Sequence, residues 1–183
     1  MTVKPIADKQ DQFDAGVWLF AYGSLIFKAD FPFILRRPAS IEGWTRRFWQ
    51  GSHDHRGTAL APGRVATIIA QAGAACDGMA YLIAPHVFEQ LDRREQNGYL
   101  RLATAITLDD GCWVQGLVYI AAPDNAAFLG AATEKEIAQQ IATANGPSGP
   151  NRDYLNDLAA ALRWLGKTDP HVFAIERHLA QMD

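Results

Sequence analysis

Apolar positions fall into two regimes along the chain. Over the first two-thirds they come in short runs rich in β-branched and aromatic residues, the pattern of buried strands. Val17–Tyr22 is the first such run, followed by Ile41–Gln50, Arg64–Gln71 and Gly78–Ala84. Leu100–Leu108 and Cys112–Ala122 flank Asp109-Asp110-Gly111, a turn that predicts a hairpin. In the last third the apolar period lengthens to that of helices. Thr133-Glu134-Lys135-Glu136 reads as a capping box opening a helix that stops at Gly146-Pro147. A second helix runs from about Arg152 to Leu165, with Leu155, Leu158, Ala159, Leu162 and Leu165 on one face and Gly166 as its stop. A third starts at Asp169-Pro170, an N-cap followed by proline at the first helical position. A shorter helix, Pro85 to about Gln96, lies within the β-rich part. Strands first and helices later predict an α+β fold built on a small barrel or curled sheet. No repeat or linker interrupts it, so residues 17–183 read as one domain behind a polar extension, 1–16.

Composition narrows the function classes. The 183 residues carry 17 Lys plus Arg against 20 Asp plus Glu, a net charge of −3. That balance lacks the basic footprint of a nucleic-acid binder. Val17–Phe27 is too short to span a bilayer, and Met1–Asp14 lacks the apolar core of a signal peptide. Cys76 and Cys112 each sit in an apolar, strand-like run without CxxC spacing, and read as buried small hydrophobes. A cytoplasmic protein with no membrane or nucleic-acid partner follows. The charge is uneven, however. Arg36, Arg37, Arg46, Arg47, Arg56 and Arg64 are opposed between positions 36 and 64 by Glu42 and Asp54 alone, a local charge of +4.

One acid lies on the wrong face of its helix. Val87, Phe88 and Leu91 define the apolar stripe of the Pro85–Gln96 helix, and Glu95, four residues past Leu91, continues it. Glu95 also precedes Asn97-Gly98, a C-terminal stop, where the negative end of the helix dipole disfavours a carboxylate. Burial and dipole both raise its pKa towards the range of a general base. The structural alternative is an ion pair with Arg94 or another arginine. A second feature is Tyr22-Gly23-Ser24-Leu25, directly after the first strand. Such a turn can aim consecutive amides at a carboxylate or an oxyanion, although many are only turns. A third is the pair His53 and His55, which alternate as on a strand, yet no third ligand stands at metal-site spacing. No metal and no cofactor are expected.

These segments carry a resemblance. Val17-Trp18-Leu19-Phe20-Ala21-Tyr22-Gly23-Ser24-Leu25-Ile26, Arg46-Arg47-Phe48-Trp49-Gln50-Gly51-Ser52, Asp54-His55-Arg56-Gly57 and Pro62-Gly63-Arg64-Val65 look like motifs of the ChaC family of γ-glutamylcyclotransferases. So do Arg94-Glu95, Gly98-Tyr99, Gly146-Pro147-Ser148-Gly149 and Tyr154-Leu155. The resemblance implies a small β-barrel with flanking helices, an amine-releasing lyase that converts glutathione to 5-oxoproline and cysteinylglycine without metal or cofactor. It implies Glu95 as the catalytic acid/base, and Ala21, Tyr22, Gly23, Ser24 and Leu25 as the loop holding the γ-glutamyl group, with Arg56 and Tyr99 also at the substrate. Ala21 departs from a more usual Gly, and Arg93 from a more usual apolar or aromatic residue. Another γ-glutamyl amine or amino acid as substrate, or a non-catalytic γ-glutamyl-binding module, are the alternative functions. At least one of Arg47, Arg56 and Arg64 is expected near the far end of the substrate, and Arg46 or Arg47 in an ion pair elsewhere in the fold.

Overall fold

A computed structural model describes residues 16–95 and 98–182. The polar 1–16 extension, apart from Gly16, and the Gln96-Asn97 end of the short helix therefore lie outside the described residues. Five strands close a barrel: β1 (Val17–Ala21), β2 (Leu35–Ser52), β3 (Gly63–Ile83), β4 (Tyr99–Leu108) and β5 (Trp113–Ala121). They are ordered β1-β3-β2-β4-β5, and β5 returns to β1. Every pairing is antiparallel except that closing one, where Trp18, Leu19 and Phe20 run parallel to Gly116, Leu117 and Val118. Gly116 is required there, because a Cβ would meet the Trp18 carbonyl at 2.8 Å. The expected α+β barrel is what the structure has.

The expected Arg64–Gln71 and Gly78–Ala84 strands are one long strand. β3 continues through Ala72–Ala75, paired with β2 by way of an irregularity between Glu42 and Trp44, where Gly43 takes φ +80°. The small residues joining the two runs are exposed, so they carry no apolar alternation to read. The β4–β5 hairpin forms as expected, with Gly111 at φ +81° in its turn. Cys112 belongs to that turn and is exposed, which corrects the reading of both cysteines as buried; Cys76 is 2% exposed.

Four helices complete the molecule: α1 (Val87–Arg94), α2 (Glu134–Thr143), α3 (Asn151–Trp164) and α4 (Pro170–Ala180). The capping box forms at Thr133 and Glu136, and Asp169 caps α4 by accepting from the Val172 amide. Such a cap is worth about 1 kcal/mol. A continuous buried cluster joins barrel residues such as Phe20, Ile68 and Tyr81 to Ile137, Leu158 and Ile175 of the helices. α3 packs on β3 and on the turn that follows β1, and α4 packs on β2.

Candidate active site

Val87, Phe88 and Leu91 are buried against the barrel, and α1 ends one turn after Leu91. Glu95 caps that end, its amide donating to the Leu91 carbonyl at 2.9 Å. It therefore stays on the buried stripe while the backbone turns away. Its side chain is 19% exposed and faces a cavity of about 660 Å³, within the size range of small-molecule sites. Burial is the main cause that raises the Glu95 pKa above the ordinary carboxylate value; Arg94 and His55 oppose it, and Asp30 adds to it. The ion-pair alternative is only a loose contact. Arg94 Nε stands 3.7 Å from Glu95, while the same guanidinium bonds closely to Asp30.

The loop after β1 lines the same cavity through Ser24, Phe27 and Lys28. Ser24–Ile26 is a single 3₁₀ turn whose first internal bond runs from the Ile26 amide to the Gly23 carbonyl. The amides of Ser24 and Leu25 precede that bond, so the helix itself gives them no acceptor. The loop is tied at both ends from behind. Buried Arg46 donates through Nε to the Tyr22 carbonyl at 2.7 Å, and the Tyr81 hydroxyl donates to the Leu25 carbonyl at 2.7 Å. Ser24 lines the cavity, whereas Ala21 and Tyr22 are buried in the barrel and Leu25 packs against the core.

Tyr99, the first residue of β4, and Arg56 line the same cavity. Arg56 lies in the 53–62 loop between β2 and β3, fixed by its amide on Ser52 Oγ and by Nη1 on the Pro150 carbonyl. The cavity wall also includes Gln50, Asn125 and Tyr154, which were not singled out from the sequence as site residues. Three phenols, Tyr22, Tyr99 and Tyr154, surround Glu95 electrostatically. Burial raises all three above the ordinary tyrosine value, with mutual repulsion and the Glu95 charge adding to it for Tyr22 and Tyr99.

His53 and His55 line the cavity from the loop beyond β2, not from the strand on which they were expected to alternate. His55 contacts Ser148 Oγ at 3.3 Å. The basic stretch divides between the cavity and the rest of the fold. Arg37 pairs with Asp109 and Asp110, Arg46 with Asp169, and Arg47 folds onto Thr45 and its neighbour's carbonyl. Arg64 is 8% exposed and donates to Gln140 and to the carbonyls of Phe48 and Gly130. Of the six arginines, Arg56 lines the cavity; the other cations there, Lys28 and Arg94, come from outside the stretch.

The sequence model of one family, described as ChaC-like protein, matches residues 17–182. The chain belongs to the ChaC family. A ChaC relative from Arabidopsis thaliana, γ-glutamylcyclotransferase 2-3, is 43% identical over 85% of this chain and 84% of that protein. Glutathione-specific γ-glutamylcyclotransferase 1 of Danio rerio is 40% identical over 90% of this chain and 89% of its own. Among solved structures, the yeast γ-glutamyl cyclotransferase specific to glutathione superposes with a TM-score of 0.84 at 33% identity, covering 91% of this chain and 96% of the other. The ChaC barrel described above is thus shared across its length with that enzyme.

Proposed function

We propose that this ChaC protein is a γ-glutamylcyclotransferase that converts glutathione to 5-oxoproline and cysteinylglycine, with Glu95 as general acid/base. The observation that carries the reading is Glu95 itself, a largely buried carboxylate with a raised pKa facing a cavity of substrate size. The names of the relatives point to the same chemistry.

The α-amine of the substrate attacks its own γ-carbonyl. Its lone pair forms the ring C–N bond, and the carbonyl π pair moves to oxygen. Holding the reacting atoms together supplies much of the acceleration, since well-oriented intramolecular reactions reach effective molarities of roughly 10⁵–10⁸ M. Glu95 takes a proton from the α-ammonium and returns it to the cysteine nitrogen as the old amide bond breaks. The second proton, left on the ring nitrogen by the attack, passes through the same carboxylate to the released amine. The lactam thus leaves neutral and cysteinylglycine leaves as an ammonium. A raised pKa suits both halves of that exchange. The Gly23, Ser24 and Leu25 segment grips the γ-glutamyl group, with Ala21 and Tyr22 as its buried support, and Arg56 and Tyr99 complete the substrate wall. The two cysteines are unbridged, in keeping with a cytoplasmic enzyme.

Incubation with glutathione followed by chromatography is the test. Equimolar 5-oxoproline and cysteinylglycine are expected, and their absence with folded protein overturns the reading. The Arabidopsis relative's name specifies no glutathione, so parallel rates on γ-glutamyl amino acids are part of the same measurement.

A further inference from the structure

Three separate contacts fix the Tyr154 hydroxyl at one point of the cavity wall. Tyr154 stands in the first turn of α3, with its ring edge-on to Phe27 and Phe48, each 5.9 Å away between centroids. Its oxygen accepts from the Ala66 amide of β3 at 3.2 Å. A Cβ built on Gly23 would come within 2.9 Å of that same oxygen. The hydroxyl therefore rests directly on the Cα that opens the loop after β1. The hydroxyl leaves no room for a side chain there.

The orientation of the O–H bond follows. One lone pair of the oxygen is taken by Ala66, so its own proton points away from β3 and can be donated on the cavity side. Burial raises the pKa to about 12, with Glu95 adding to it and Arg46 and Arg56 opposing. Tyr154 thus remains a neutral donor throughout the working range of a carboxylate base.

We propose that the Tyr154 hydroxyl is a catalytic residue, donating a hydrogen bond to the oxygen of the γ-carbonyl as negative charge develops there. The inference rests on the cyclotransferase reading and adds the group that completes it. As the α-amine adds to the carbonyl carbon, the π pair becomes the oxyanion held by Tyr154 and the neighbouring loop amides. When that pair returns, the bond to the cysteine nitrogen breaks, and nitrogen takes the proton stored on Glu95. Glu95 then carries the extra proton of the ring nitrogen to the released amine, and Tyr154 keeps its own proton throughout.

Tyr154→Phe tests this. The variant is expected to lower kcat on glutathione by roughly 10²–10³-fold, the usual effect of removing one oxyanion donor, with KM within about twofold of wild type. A kcat within threefold of wild type overturns the proposal. Because the variant also leaves the Ala66 amide without its acceptor, a second measurement separates the roles. Fluorinated tyrosines introduced at position 154 keep the hydroxyl and its bond to Ala66 while increasing its acidity. A kcat that follows phenol acidity across the series supports a donor to the reacting oxygen. A flat series, with all members folded, overturns it. Wild-type protein that forms no 5-oxoproline from any γ-glutamyl compound removes the underlying reading and the proposal together. An active wild type with an unimpaired Tyr154→Phe variant removes the proposal alone.

Discussion

Arg46 Nε donates to the Tyr22 carbonyl at 2.7 Å, linking the middle of β2 to the first residue beyond β1. The same guanidinium bonds to the Asp169 carboxylate at 2.5 Å and to the Asp77 carbonyl, and the residue is 3% exposed. One side chain thus ties the loop after β1 to the N-cap of α4. Arg46→Ala strands a largely buried Asp169 carboxylate, and such a broken pair costs about 3–5 kcal/mol. Denaturant titration is expected to show that loss. Arg46→Lys keeps the charge but cannot span three acceptors in a plane. It should fold, with a raised KM for glutathione as the loop loosens.

Glu95→Gln should lower 5-oxoproline formation by about 10²–10⁴-fold while leaving the far-UV spectrum unchanged. In wild type, kcat/KM should fall with decreasing pH on an acid limb above the ordinary carboxylate value, because the base must be ionised. The stability effect runs the other way. A carboxyl whose folded pKa is raised opposes folding when ionised, so Glu95→Gln is expected to be more stable than wild type at pH 8. That gain should shrink as pH falls through the folded pKa and vanish below the unfolded value near 4.3. Thermal melts at pH 8 and 4 check it.

Arginine replacements should separate binding from support. Arg56→Ala is expected to raise KM for glutathione several-fold with little change in melting temperature. Arg64→Ala should do the reverse, since its guanidinium bridges Phe48, Gly130 and Gln140; hydrogen bonds to a charged group are worth about 1.5–3 kcal/mol. Arg47→Ala should leave KM unchanged. An unchanged KM in Arg56→Ala would remove Arg56 from the substrate wall.

Gly23→Ala puts a methyl within 2.9 Å of the Tyr154 oxygen. Overpacking of this kind costs about 1–3 kcal/mol. The rate should fall further than that stability loss explains, by about 10²-fold, because the hydroxyl and the loop amides are displaced relative to each other. Comparing kcat with the melting temperature distinguishes this from simple destabilisation.

His171 is held neutral by burial, with Nε2 accepting from the Phe48 amide at 3.0 Å and Nδ1 facing Glu134 at 3.1 Å. Its pKa lies below the ordinary histidine value, so its contribution is complete above about 6.5 and is lost as pH falls from there. His171→Ala leaves the Phe48 amide unpaired, about 1–3 kcal/mol at pH 7.5. The gap between variant and wild type should narrow between pH 7 and pH 5.

The elements were largely legible in the sequence because each obeys a local rule: an alternation, a cap, a proline or a glycine stop. Glu95 was legible for the same reason, since a helix fixes which face a residue four positions on occupies. What was hidden required knowing which distant segments meet. Gln50 and Tyr154 belong to motifs visible in the sequence, but that they line one cavity shows only when β2 and α3 meet. The Ala72–Ala75 stretch of β3 gives no periodic signal because small exposed residues are silent in such a pattern. The basic stretch divides for the same reason. Its charge is contiguous in sequence, but the sheet turns neighbouring arginines to different faces, and most find acids or carbonyls far along the chain.

The parallel pairing of β1 with β5 couples the start of the active site to the end of the barrel. β1 carries the loop, yet it has no place to close until β5 has been made, and Tyr154 comes later still. On the ribosome, a chain that has already exposed Glu95 cannot hold a γ-glutamyl group, because neither the closed barrel nor the α3 wall exists. Contacts between such distant segments form late in folding. The cavity that Glu95 faces is therefore a property of the finished chain.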